Sequence, residues 1–199
     1  MPGIIIAILL KSLKKDIRVK LYEKSYHKSH FLRDVSAKLK NSIDALLDGG
    51  DAELGLESTV VDCSVERPYV LRLGNITIDQ INSCLGYEIA PNLRTVKQIK
   101  SPGQLLKHYS PDTELYLNQN KPIEGDIFLS FGPHPKEIDG LTLSESKNLA
   151  EAANNLFSFL HILDRLSKDK GGIPIKVAPI PSYGVGEAIN DRLQRAAEK

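Results

Sequence analysis

Apolar and polar positions along this 199-residue chain follow periods that change several times. From Val35 to Leu47 the apolar residues Val35, Leu39, Ile43, Leu46 and Leu47 recur at the spacing of one helical face. Asp48-Gly49-Gly50 supplies a stop, so the pattern predicts a helix ending there. Ser58 to Ser64 is rich in β-branched residues and predicts a strand. Tyr69-Val70-Leu71-Arg72 predicts a second, ended by Gly74, and Glu66-Arg67-Pro68 between them has turn chemistry, so the two read as a β-hairpin. Thr77 has the oxygen needed to cap a short helix over Ile78 to Leu85, which Gly86 closes.

Periodicity lapses over residues 89–113, where Pro91, Pro102 and Pro111 break any regular element; the segment reads as an extended connector between two units. The second unit opens with predicted strands at Glu114 to Leu117 and Asp126 to Phe131, punctuated by Gly125 and Gly132-Pro133. Residues 147–167 predict the longest helix, with Leu149, Ala152, Ala153, Leu156, Phe159, Leu160 and Leu163 on its apolar face. A strand at Ile175 to Ile180 and a helix from Gly186 to Ala197 follow. Strands alternating with helices predict an α/β class with a mostly parallel sheet, a small Rossmann-like domain without a Gly-rich phosphate fingerprint.

Composition narrows the picture. Hydrophobic residues make up 41% and charged residues 26%, which excludes a disordered chain. Net charge is +1 but unevenly spread: Lys11 to Arg33 holds eight basic residues against Asp16 and Glu23, ahead of a slightly acidic body. Such a leader can attract nucleic acid or anionic lipid; it reads more simply as a solvated helix or a poorly ordered end. Cys63 and Cys84 form neither a disulfide framework nor a metal-ligand spacing. The apolar run Ile4 to Leu10 is too short to span a bilayer and lacks the flanks of a signal peptide, so a soluble cytoplasmic protein is expected.

Two short segments concentrate polar chemistry on constrained backbone. The first, Leu56 to Asp62 with Leu71-Arg72-Leu73-Gly74, places the hydroxyls of Ser58 and Thr59 at a strand start and the Arg72 guanidinium at a strand end. Hydroxyls beside free backbone N–H groups suit a carboxylate or phosphate, and the planar guanidinium suits phosphate. The plainer alternatives are local backbone satisfaction for the hydroxyls and a surface ion pair of Arg72 with Glu57, Asp62 or Glu66. The second segment, Ser101 to Pro111, carries Lys107, His108 and Tyr109, which could stack on a purine and donate to phosphate, or merely pin a connector to the surface. No Walker sequence, Gly-x-Ser-x-Gly or His-Glu-x-x-His is present.

Leu46-Leu47-Asp48-Gly49-Gly50 through Glu57-Ser58-Thr59-Val60-Val61-Asp62, with Leu71-Arg72-Leu73-Gly74, resembles the closing part of a YrdC-type domain. Ser101-Pro102-Gly103 with His108-Tyr109-Ser110-Pro111 resembles the linker of the two-domain members of the YrdC/YciO family. Pro179-Ile180-Pro181, Gly184-Val185-Gly186 and Ala188 to Leu193 are similar to the end of their extra C-terminal domain. By this resemblance the chain divides into a leader (1–34), the C-terminal part of a YrdC-like domain (35–88), a linker (89–113) and the extra domain (114–199). The family is that of the threonylcarbamoyl-AMP synthases, nucleotidyltransferases that convert L-threonine, bicarbonate and ATP to threonylcarbamoyl-adenylate and pyrophosphate. Carried over by position, the resemblance implies that Ser58 contacts threonine, that Arg72, Ser101, His108 and Tyr109 contact ATP, and that magnesium accompanies the nucleotide. It further implies a downstream tRNA threonylcarbamoyl-transfer machinery, contact with double-stranded RNA or tRNA, and no membrane partner.

The chain also departs from the family pattern. Residues 1–34 contain neither the Lys-x-Arg nor the Ser-x-Asn element of the family's N-terminal half, and Ser36-Ala37-Lys38 is only an echo of the latter. Leu73 stands where the family carries proline, which predicts a looser turn. The expectation is an N-terminally truncated two-domain synthase with a foreign or frame-shifted leader; the alternative is a non-catalytic nucleotide- or RNA-binding remnant.

Overall fold

The computed structural model describes residues 55–89 and 111–198 in full, and residues 5–10, 17–22 and 45–47 as strands. Strands β1 (Ile5–Leu10), β2 (Ile17–Tyr22) and β3 (Ala45–Leu47) form an antiparallel sheet in the order β2-β1-β3. Two expectations change here. The leader contains a pair of strands, because Ile17, Val19 and Leu21 alternate with Arg18 and Lys20, a period of two that a tally of charge overlooks. The helix expected to end at Leu47 is instead strand at Ala45–Leu47, where Ile6 pairs with Leu47 and Ile8 with Ala45. Adjacent apolar residues such as Leu46-Leu47 serve either period, and long-range pairing decides between them. The earlier part of that helix, residues 35–44, lies outside the described residues.

Strands β4 (Val60–Asp62) and β5 (Tyr69–Arg72) form the expected hairpin, its register interrupted by a bulge between Val60 and Val61. Helix α1 (Ile78–Leu85) follows under a complete capping box: the Thr77 hydroxyl accepts from Gln80 N–H while the Gln80 side chain accepts from Thr77 N–H. Gly86 ends it in the left-handed conformation (φ +74°).

The second unit is a four-stranded sheet of β6 (Leu115–Tyr116), β7 (Ile127–Ser130), β8 (Asp139–Thr142) and β9 (Ile175–Val177), parallel throughout, in the order β6-β9-β7-β8. The α/β class and the parallel sheet agree with the expectation; β8 was not anticipated, since Asp139-Gly140-Leu141-Thr142 lacks an apolar run. Helix α2 (Leu149–Asp169), capped by Asn148, crosses from β8 to β9, and α3 (Val185–Ala197) packs beside it. Pro179 and Pro181 follow β9 too closely for it to continue to Ile180 as expected. One buried cluster joins the units: Leu56, Val70, Leu73 and Ile89 from the hairpin region share it with Ile127, Leu129, Leu156, Leu163, Ile175, Ile189 and Leu193. Within such a contiguous core the hairpin's position depends on the sheet domain beneath it.

Candidate functional site

The polar edge of the hairpin is built by close backbone approach. Residues 57–59 run past Gly74, where a Cβ would fall 2.2 Å from the Glu57 carbonyl oxygen and 2.4 Å from the Thr59 nitrogen. Only glycine fits there, and its absence of a side chain lets the segment before β4 lie against the segment after β5. Ser58 and Arg72 are thereby brought together, fourteen residues apart in the chain. Arg72 Nε donates to the Ser58 carbonyl oxygen at 3.0 Å and Arg72 Nη2 to Ser58 Oγ at 3.1 Å. A hydroxyl that accepts from a guanidinium retains its own proton for an acceptor such as a carboxylate. Ser58 is exposed and Arg72 half-buried, so the pair faces solvent at the hairpin's open end.

The neighbouring polar groups have partners of their own. Thr59 satisfies backbone, though not its own neighbours': its hydroxyl donates to the Ile76 carbonyl, seventeen residues on, at 2.6 Å. Asp62 accepts from the Ser64 hydroxyl at 2.6 Å and from the Tyr69 hydroxyl at 2.9 Å. Glu57 is engaged from the far domain: Arg192 Nε donates to its Oε2 at 3.0 Å, and Arg192 Nη2 donates to the Leu73 carbonyl at 2.8 Å. Leu73 itself is 6% exposed and belongs to the core. A second close approach fastens the other flank, where a Cβ on Gly55 would lie 2.1 Å from the Asn154 Cα of α2. Sequence reasoning noticed the Asn190-Asp191-Arg192-Leu193 segment but not its partners, which lie more than a hundred residues away.

Ser101, His108 and Tyr109 lie outside the described residues. The connector's far end is described, and it is anchored: Asp164 Oδ1 on α2 accepts from Thr113 N–H at 2.9 Å, and Lys168 Nζ reaches Asp112 at 2.6 Å and Asp164 at 2.8 Å. Burial works against the Asp164 charge, yet the hydrogen bonds from Lys168 and Thr113 outweigh it and hold the carboxyl below its ordinary value. His134 is braced within its own loop, between the Ser130 hydroxyl at 2.9 Å and the Ile138 carbonyl at 3.0 Å, beside the Phe128 ring. Among the described residues no group of three or more His, Cys, Asp or Glu side chains is arranged to hold a metal ion. Nor, among them, is any helix long and apolar enough to cross a membrane.

A parallel sheet with helices packed against an antiparallel hairpin places the protein in the α/β class, and comparison with known proteins agrees with that fold. The family model described as "Threonylcarbamoyl-AMP synthase, C-terminal domain" matches residues 76–198, more than half of the chain. The chain belongs to the threonylcarbamoyl-AMP synthase family. It is 28% identical over 182 residues to the threonylcarbamoyl-AMP synthase of Pyrococcus abyssi, covering 82% of this chain and 52% of that protein. It is 29% identical over 182 residues to the Bacillus subtilis protein of the same name, covering 82% and 51%. The chain thus spans about half the length of these curated relatives. A separate similarity, 54% identical over 46 residues, is to the ribosomal RNA small subunit methyltransferase G of Pelagibacter ubique; it covers 23% of this chain. Among solved structures, P. abyssi Sua5 complexed with L-threonine superposes with a TM-score of 0.70 at 23% identity, over 90% of this chain and 57% of that one. A P. abyssi Sua5 variant with an adjacent histidine and tyrosine both replaced by alanine gives 0.68 at 22% identity, over 90% and 56%. These likenesses establish the shared fold.

Proposed function

We propose that this chain takes part in the reaction of its family, joining L-threonine, bicarbonate and ATP into threonylcarbamoyl-adenylate with release of pyrophosphate, for tRNA N6-threonylcarbamoyladenosine formation. The observation that carries the reading is the contact of Arg72 Nη2 with Ser58 Oγ at 3.1 Å on an exposed edge. An adenylate-forming reaction of this kind needs a carboxylate or carbamate held beside a phosphate, so that attack on the α-phosphorus is a matter of placement. Ser58 offers a hydroxyl for the threonine and Arg72 a permanent positive charge for the nucleotide. Magnesium, arriving on the triphosphate, would neutralise phosphate charge.

Residues 35–88 would then form the hairpin-bearing part of the synthetic domain, 89–113 the linker and 114–199 the appended domain. In the linker Ser101, His108 and Tyr109 would close over the nucleotide and exclude water. The related variant with a replaced His-Tyr pair supports attention to His108-Tyr109, which occur here in the same order. The L-threonine complex of P. abyssi Sua5 supports threonine as the amino acid. A cytoplasmic location and delivery of the product to a tRNA-modifying transferase belong to the same reading. So does an RNA contact, sought at the basic leader and recognisable as a salt-sensitive affinity lost on deleting residues 11–33.

We further infer that the leader, residues 1–34, falls within the methyltransferase-like stretch. The synthase relatives align with 82% of the chain, which leaves room for a leader of different kinship. Reading the source DNA on either side of codon 35 tests this: a continuous synthase frame upstream would overturn it.

The reaction is tested by following pyrophosphate released from ATP with threonine and bicarbonate. Because the chain lacks the Lys-x-Arg and Ser-x-Asn elements, turnover far below that of a full-length synthase is the expected result, with ATP affinity lowered about tenfold or more in Arg72→Ala. Release at the rate of a full-length synthase would overturn the truncation, and absence of both threonine and ATP binding would remove the synthase reading.

A further inference from the structure

We propose that Arg192, on the last helix of the appended domain, is a positioning residue that sets the geometry of the Ser58–Arg72 pair. The proposal rests on the reading of that pair as the ligand edge. Arg192 is the only guanidinium among the described residues that is fully buried; its side chain is 5% exposed. Its fork joins three groups, and Nη2 lies 3.0 Å from the same Glu57 oxygen that Nε reaches. Nε donates to Glu57 Oε2 at 3.0 Å, Nη2 to the Leu73 carbonyl at 2.8 Å and Nη1 to Asp191 Oδ2 at 2.5 Å. Asp191 is itself oriented by Arg195, whose Nε lies 3.1 Å and 3.0 Å from its two oxygens.

The placement of these anchors argues for more than adhesion. Glu57 immediately precedes Ser58, and Leu73 immediately follows Arg72. A rigid planar fork therefore grips the chain one residue away from each candidate ligand contact and spaces the two strands of the hairpin relative to each other. Buried ion pairs are weak sources of net stability, because desolvation cancels most of their attraction; their stronger effect is geometric selection. A hydrophobic side chain would have fastened α3 to the hairpin as well, but could not have specified the register of Glu57 against Leu73. Gly55 and Gly74 bring the same segment into van der Waals contact on its other sides, leaving Arg192 as its polar constraint from the appended domain.

The test compares the full chain with Arg192→Lys and Arg192→Met. Lysine keeps the charge and the aliphatic stem, but one ammonium cannot reproduce the three-way fork. Amide hydrogen exchange over residues 56–60 and 72–75 is read against residues 150–166 of α2, and affinities for L-threonine and for ATP are read by calorimetry. The expected result for Arg192→Lys is faster exchange at 56–60 and 72–75, unchanged protection in α2, and affinity lowered about ten- to a hundredfold. Arg192→Met should do the same or more. Faster exchange with undiminished affinity would overturn the positioning role and leave only a fastening. Unchanged exchange in both variants would overturn the strut itself. If the unaltered chain binds neither ligand, the ligand-edge reading fails on its own, and the exchange comparison still decides whether Arg192 sets the hairpin.

Discussion

At the scale of single residues, the candidate site depends on what is missing as much as on what is present. Ser58 and Arg72 meet because Gly74 contributes no Cβ at a point where one would sit 2.2 Å from a backbone carbonyl oxygen. Gly74→Ala should therefore destabilise the chain by about 1–3 kcal/mol, as overpacking against immovable backbone does. It should also separate Ser58 from Arg72. Denaturant melting checks the first effect, and loss of threonine affinity beyond that expected from the unfolded fraction checks the second. The residue types of this edge were legible in the amino-acid sequence, as hydroxyls and a guanidinium next to glycine. The convergence of Ser58 and Arg72 followed from the resemblance; the hairpin bulge at Val60–Val61, which shifts the pairing by a residue, is what no periodicity reveals.

At the scale of elements, helix α2 organises the second unit and holds the end of the connector. Asp164 joins α2 to Thr113, at the residue where the connector gives way to β6, and Lys168 bridges the same carboxylate to Asp112. Asp164→Asn should cost about 1–2 kcal/mol near neutral pH, since it weakens hydrogen bonds to a charged acceptor. The sign of the pH dependence follows from the carboxyl being held below its ordinary value of 3.8. Its stabilising contribution is complete above that value and is lost as pH falls through the lower, folded-state value. The stability gap between the unaltered chain and Asp164→Asn should therefore close below about pH 4, as followed by thermal melting across an acid series. Elements with strong local signals matched expectation to within two residues at each end: α2 by its apolar stripe, α1 by its capping box, α3 by its position after Gly184. Strands β1, β2 and β8 were missed, because a short strand is recognised by its neighbours more than by its own composition.

At the scale of the whole molecule, the hairpin region and the parallel sheet domain share one buried cluster, sealed at Gly55 against α2 and at Arg192 against Leu73 and Glu57. The polar edge is thus held from beneath by the parallel sheet and its helices. Gly55→Ala introduces a Cβ 2.1 Å from the α2 backbone and should push the two apart. Hydrogen exchange should then rise over residues 55–89 while residues 115–177 keep their protection, the pattern of a cooperative unit released from its support. Uniform loss of protection in both regions would show instead that the hairpin and the sheet stand or fall together.

By itself the amino-acid sequence determined the α/β class, the order of the long elements, the helix caps and the identity of the polar residues at the hairpin edge. These are local properties, set by periodicity, capping oxygens and turn chemistry acting over a few neighbouring residues. Tertiary structure alone decided that Ala45–Leu47 is strand, that the sheet runs β6-β9-β7-β8, and that Arg192 reaches Glu57 across 135 positions of chain. Each of those outcomes is a choice of partner, and a partner's identity is fixed by the shape and charge that the folded surface presents, which no window of adjacent residues contains.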